Sequence, residues 1–254
     1  MVFVCNRCGI CCKGLRGVHN PRKDRLEEAK IAVQQKNNSG PVYFFVNPED
    51  ITFMMFEHEI EPLRKAANDR GVELKIKPHR AFYDDYGKTW VVLTWFLDHD
   101  DCPFLTNEGC SVYNIRPLAC RSFPVHSPSI IRETNINGRG DISDVLGNCP
   151  LIDEKSYDGK KLGDILSDFG ECAVAARTMD FFFQYENDMI SPLVARSMLI
   201  KVHRGRMPTD REHYQPAIKY LSALGILSGP NLDILNHVDE IVKDLGKHKN
   251  TTSE

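Results

Sequence analysis

Four cysteines fall within eight positions near the start of the chain: Cys5, Cys8, Cys11 and Cys12, in the pattern CxxCxxCC. A single buried cysteine behaves as a small hydrophobe, but packing alone gives no reason to collect four in one short stretch. A second set follows at Cys102, Cys110, Cys120 and Cys149, with CSVYNIRPLACRSFP running from Cys110 to Pro124. Cys-x2-Cys-x2-Cys is the spacing with which bacterial ferredoxins wrap three thiolates around a cluster, a Cys-Pro cysteine completing a set. Two such pairs are present, Cys102-Pro103 and Cys149-Pro150. Paired CxxC turns also build four-thiolate zinc sites, and two of these would use eight cysteines. Spacing leaves both metals open.

The setting argues against disulfides. A chain of 254 residues with 42% hydrophobic residues buries its own core without covalent staples. The start MVFVCNRCGI lacks the basic flank, apolar run and cleavage site of a secretory signal, and no stretch approaches ~20 uninterrupted apolar residues. A cytoplasmic protein is therefore expected, in which clustered thiols serve as metal ligands or catalytic groups. A net charge of −3 gives no general attraction to nucleic acid or an anionic membrane, so a polyanion partner would need a local patch; a protein partner or substrate is expected, with no membrane. No Walker-type phosphate loop, HExxH, GxSxG or six-residue glycine fingerprint occurs, and Gly138-Arg139-Gly140 sits in a hairpin pattern.

Local patterns predict an α+β fold. It comprises an irregular cysteine-rich metal-binding core with short antiparallel strands and hairpins, plus a helical C-terminal section. Helix formers predict a largely exposed helix over Pro21 to Lys36, and Val42 to Val46 reads as a buried strand. Asn47 and Pro48 predict the start of a helix that runs to about Asp69 and stops at Gly71. Strands follow between Val72 and Leu97, with a hairpin connection at Asp84 to Gly87 and the best buried strand over Thr89 to Leu97. That strand delivers the chain to Cys102. Loops and one helical turn near Val112 to Ile115 are expected up to Pro124, then a hairpin around Asn137-Gly138 that returns Cys149 towards Cys120. Beyond Pro150 strand signals are absent. Helices are expected at Leu162 to Asn187, Pro192 to His203, Glu212 to Leu224 and Asp233 to Leu245. The texture divides the chain into a cysteine-cluster metal-binding domain, 1–154, and a helical section, 155–254, which packs on it or stands apart.

Cys11 and Cys12 are chain neighbours, their Cα atoms ~3.8 Å apart, so different roles are expected for the two thiols. Arg116 and Arg121 bracket Cys120 and are candidate cofactor-binding cations: they neutralise a charged cluster, bind an anionic substrate, or brace the loop through carboxylates. His99, close to Cys102, reads as an ordinary loop histidine, and Cys172 as a packed residue on a long helix.

CNRCGICC, CPFLTNEGCSVYNIRPLACRSFP and the later Cys149 resemble the CxxCxxCC, or YkgJ-type, cysteine-cluster family of zinc- or iron-chelating proteins, over roughly residues 1–150. The resemblance implies that Cys5, Cys8, Cys11, Cys12, Cys102, Cys110, Cys120 and Cys149 are the metal ligands. Its best-understood relatives are flagellin lysine methylases that use S-adenosylmethionine, but the long insertion between the motifs and the helical section lie outside the resemblance. The expectation is a protein binding an iron–sulfur cluster, 4Fe-4S in type, or alternatively zinc. It acts as a redox or S-adenosylmethionine-dependent enzyme, as a zinc-stabilised interaction module, or as a cluster carrier.

Overall fold

The strand expected over Thr89 to Leu97 is the axis of the computed structural model. The model describes residues 3–16, 26–50, 52–125, 146, 149–157, 160, 162–196, 199–209 and 212–227. In chain order the first elements are α1 (Leu26–Ser39), β1 (Tyr43–Phe44), β2 (Met54–Phe56), α2 (Glu57–Arg70), β3 (Ile76–Asp84) and β4 (Thr89–Leu97). A ribbon of β5 (Leu105–Thr106) and β6 (Gly109–Cys110) precedes the short helix α3 (Leu118–Ser122). Then come α4 (Leu162–Asp168), α5 (Gly170–Arg196), β7 (Tyr214–Pro216) and α6 (Ala217–Ala223). The fold is α+β.

All nine residues of β4 are buried, as its unbroken run of aromatic and β-branched side chains requires of a strand covered on both faces. Trp90 and Val92 enter one apolar cluster with Tyr43, Phe53 and Met55, while Val91 and Leu93 enter another with Phe82, Ile200 and Leu221. This is the period of two that a strand imposes. β3 pairs antiparallel with β4, and β1 adds to the far side of β3. The connecting turn is tied by Asp84, whose carboxylate accepts the N–H groups of Tyr86 and Gly87 at 3.0 and 3.1 Å. The other edge of β4 is shared: β2 runs antiparallel against Thr94–Phe96 and β7 parallel against Trp90–Val92.

Several expectations change here. The helix expected from Pro48 is a single 3-10 turn over Pro48–Asp50, and α2 begins only at Glu57. The apolar residues Met54 to Phe56 between them are taken by the open edge of β4, and Glu59 caps the real start by accepting the Phe56 N–H at 2.8 Å. Gly71 ends this helix in left-handed geometry, as expected. Strand structure also occurs beyond Pro150, since Tyr214 to Pro216 forms β7 rather than the first turns of a helix. Pro192 lies inside α5, which stops at Arg196, and Val202 bridges to Asp84 instead of continuing a helix to His203. Between Cys102 and Pro124 the chain makes the β5–β6 ribbon and α3 as well as the expected turn at Tyr113–Ile115. The Asn137-Gly138 hairpin and the helix over Asp233 to Leu245 lie outside the described residues.

The core of the molecule is the sheet and the helices against it, not the cysteine-rich segment. Cys102, Cys110 and Cys120 pack partly buried on the edge of the cluster that holds Trp90 and Val92. Cys172 packs with Phe3 and Ile152 on a separate group around Phe169 and Leu166.

Candidate metal centre

After β4 the chain turns at Asp98, which takes Lys77 at 2.6 Å and Arg16 at 2.9 Å, and it reaches Cys102 four residues later. The end of the CxxCxxCC run is stitched along this same stretch. The Cys102 N–H donates to the Cys12 carbonyl at 2.7 Å, the Gly14 N–H to the Asp101 carboxylate at 2.7 Å, and Arg16 to Asp100 at 2.6 Å. A strand buried on both faces thus fixes the first cysteine of the second motif and, through it, the last cysteine of the first.

The ribbon performs the next step. Leu105 pairs with Cys110 across it, and the Leu105 N–H donates to the Cys102 carbonyl at 3.0 Å, which brings Cys102 and Cys110 together. The N-terminal run crosses closely over this ribbon. A Cβ on Gly9 would lie 2.5 Å from Leu105 Cδ1 and at a φ of +74°, which L side chains rarely adopt, so a larger residue there strains the backbone and displaces Leu105. Glu59 accepts the Leu118 N–H at 2.6 Å, docks the start of α3 onto α2 and so places Cys120. On the far side Val125 and Leu146 form an antiparallel bridge, Leu146 lying three residues before Cys149.

One cavity of about 1000 Å³, including its open mouth, receives the result. Its walls carry all eight cysteines of the two motifs: Cys5, Cys8, Cys11, Cys12, Cys102, Cys110, Cys120 and Cys149. Cys172 is not among them. The floor is apolar, formed by Phe53, Met55, Leu63, Leu97 and Phe104, and no Asp or Glu occurs among the described lining residues. Arg116 lines the cavity; Arg121 does not, and its guanidinium lies 3.4 Å from Glu171.

Within the cavity the thiols fall beside particular neighbours. The Cys12 thiol touches those of Cys102 and Cys11 and interacts electrostatically with Cys110, and Cys120 interacts in the same way with Cys12, Cys110 and Cys11. Cys149 interacts electrostatically with Cys8, Cys11 and Cys5. The adjacent Cys12 thiol and burial together push Cys11 far above an ordinary thiol, and contact with Cys102 helps lift Cys12 to about 12. Burial raises Cys110, Cys120 and Cys149, and the Arg116 guanidinium opposes this at Cys11, Cys110 and Cys120. Crowded and buried, these thiols keep their protons until something of opposite charge replaces them. Among the described residues, no three Cys, His, Asp or Glu side chains are grouped closely enough to hold a single ion.

The backbone supplies a recurring detail. At Cys5 the sulfur accepts the N–H of the residue two positions on, Arg7, at 3.4 Å. Cys110 and Cys149 do the same with Val112 and Leu151. An N–H directed at sulfur favours the thiolate over the thiol, which is what a ligating cysteine needs.

Arg7 is a cation the sequence did not advertise. Its guanidinium lies 3.9 Å from the centre of the Tyr113 ring and that of Arg116 lies 3.6 Å from it, so both cations pack against the one ring. Among the described residues neither has a carboxylate partner. A stack of this kind depends on folding and leaves no local signal. His99 accepts the Lys75 N–H at 2.8 Å through Nε2, in keeping with the structural role expected of it.

Neither the curated proteins nor the solved structures include a match to this chain. A family model described as "CxxCxxCC: Putative zinc- or iron-chelating domain" matches residues 4–141, more than half of the 254. That match includes seven of the eight cavity cysteines, all but Cys149, and the chain belongs to the CxxCxxCC family of zinc- or iron-chelating domains.

Proposed function

We propose that the cavity holds an iron–sulfur centre of the 4Fe-4S kind and that the chain works through it, as a redox protein or an enzyme acting on a protein substrate. The supporting observation is the donor set: eight sulfurs, no carboxylate among the described lining, and an apolar floor. One tetrahedral zinc uses four ligands, and hard cations require oxygen. When bound, such a centre supplies one-electron chemistry at a potential tuned by its hydrogen bonds and exposure.

The chain's own residues supply the rest. Phe53, Met55 and Phe104 exclude water from the floor, and the N–H groups of Arg7, Val112 and Leu151 direct hydrogen bonds at three sulfurs. Arg116 balances negative charge from the side. A reading as a cluster carrier finds support in the mouth of the cavity, where Cys8 is exposed and Ile10 is 52% exposed.

Anaerobic purification followed by iron, zinc and acid-labile sulfide analysis tests this. Iron and sulfide in comparable amounts with broad visible absorption are expected. A colourless protein with stoichiometric zinc and no labile sulfide overturns the iron–sulfur reading.

A further inference from the structure

We propose that the eight thiols form two four-sulfur sites with different holds on their metal, an inner one of Cys12, Cys102, Cys110 and Cys120 and an outer one of Cys5, Cys8, Cys11 and Cys149. This rests on the reading that the cavity cysteines are the metal ligands, whichever metal they take.

The dividing line runs between Cys11 and Cys12. Both lie in the 3-10 turn Ile10–Cys12, where successive side chains leave the backbone about 120° apart; the two thiols still touch, so Cys11 sits at the boundary of the two sets. Cys12 is bonded through its carbonyl to Cys102, and the ribbon pairing sets Cys110 beside them. Cys120, placed by α3, interacts electrostatically with Cys12 and Cys110, and with Cys11 as well. These four need no other sulfur.

On the other side, Cys8, Cys11 and Cys5 are the thiols that interact electrostatically with Cys149, and together they make the CxxCxxC spacing with a Cys-Pro cysteine. Cys11 touches both groups, and the count assigns it outward, since the inner set is complete without it. Ferredoxins with two clusters divide a cysteine run in the same way, three ligands to one cluster and the next to the other. Cys172 lies near Cys5 and Cys149 but off the cavity wall, and belongs to neither set.

The two sites differ in support. Three inner cysteines pack on the apolar cluster of β4. Of the outer four, none packs on that cluster, Cys8 is exposed, and Val4 beside Cys5 is 76% exposed. The outer site is therefore the one that exchanges its metal with solvent or an acceptor, and the inner site is the one that stays.

The test uses the full chain, loaded anaerobically, with metal content measured directly and metal loss to EDTA followed over time. Wild type is expected to lose metal in a fast and a slow phase of similar size. Cys149→Ser and Cys5→Ser should each abolish the fast phase and retain about half the metal, with the slow phase unchanged. Cys110→Ser should abolish the slow phase, with circular dichroism used to confirm that the sheet is intact, and Cys172→Ser should change neither. A loaded wild type that releases everything in one phase, or a Cys149→Ser chain that empties completely, overturns the partition alone. A wild-type chain that takes up no metal overturns the reading beneath it as well.

Discussion

Cys102, Cys110 and Cys120 reach the cavity packed on the buried framework of the sheet; Cys5, Cys8 and Cys149 reach it from loops. The first group follows β4, whose residues are buried throughout, and packs on the cluster that holds Trp90, Val92 and Phe53. The second is held by a few backbone bonds, such as Phe3 N–H to the Asp168 carbonyl at 2.7 Å and Ile152 N–H to the Cys149 carbonyl at 3.0 Å. Stability and ligand supply thus come from different parts of one chain. A metal site of this construction has a side that is preorganised and a side that closes on its cargo.

Four changes separate these contributions. The largest effect is expected from Trp90→Ala, which removes a fully buried ring and should cost ~3–5 kcal/mol in urea unfolding. Metal content should fall with it, because the strand that positions Cys102 loosens. Full metal retention in a destabilised Trp90→Ala chain would show that the framework is not the platform.

The second concerns pH and lies far from the thiols. Glu186 is buried at 3.1 Å from Arg80; burial lifts its carboxyl to about 7, although the guanidinium acts against the rise. Because the folded value lies above the ordinary 4.5, the group's contribution is fully present below that value and is lost as pH rises through about 7. The span between the limits is about 3 kcal/mol. Thermal unfolding of wild type should improve from pH 8 to pH 5.5 relative to Glu186→Gln. Equal pH profiles for the two proteins would remove Glu186 as the cause.

Gly9→Ala should act on the loop side. It adds a Cβ at a φ of +74° and against Leu105, an expected local penalty of at least ~1 kcal/mol. Metal content should drop while the urea midpoint of the sheet hardly moves. A matching loss of global stability would mean the crossing belongs to the framework. The smallest effect is expected for Arg116→Gln: the fold persists, and metal release to EDTA quickens about threefold, for a partly exposed charge contributing under ~1 kcal/mol. No change in release would assign Arg116 to the Tyr113 stack alone.

Much of this was legible in the amino acids. The run from Thr89 to Leu97 announced a buried strand, and the two motifs contained all eight cysteines of the cavity wall, though not its apolar floor. What stayed hidden was decided by partners distant in sequence. Met54 to Phe56 and Tyr214 to Pro216 are three-residue strands, too short to show a period, and they exist because β4 has an open edge to fill. The Arg7–Tyr113–Arg116 stack joins residues from two motifs and has no signature in either. Cys12 and Cys102 could be matched as ligands, but not as neighbours joined through the backbone, until the chain was folded.

The shared edge of β4 also bears on when the protein becomes competent. Trp90 to Val92 are covered by residues 214 to 216, so the sheet stays incomplete until a segment more than 120 residues further along the chain has been made. Contacts across such long separations form late. The CxxCxxCC run, joined at Cys12 to Cys102, therefore depends on a sheet that is complete only when residues 214 to 216 have joined it.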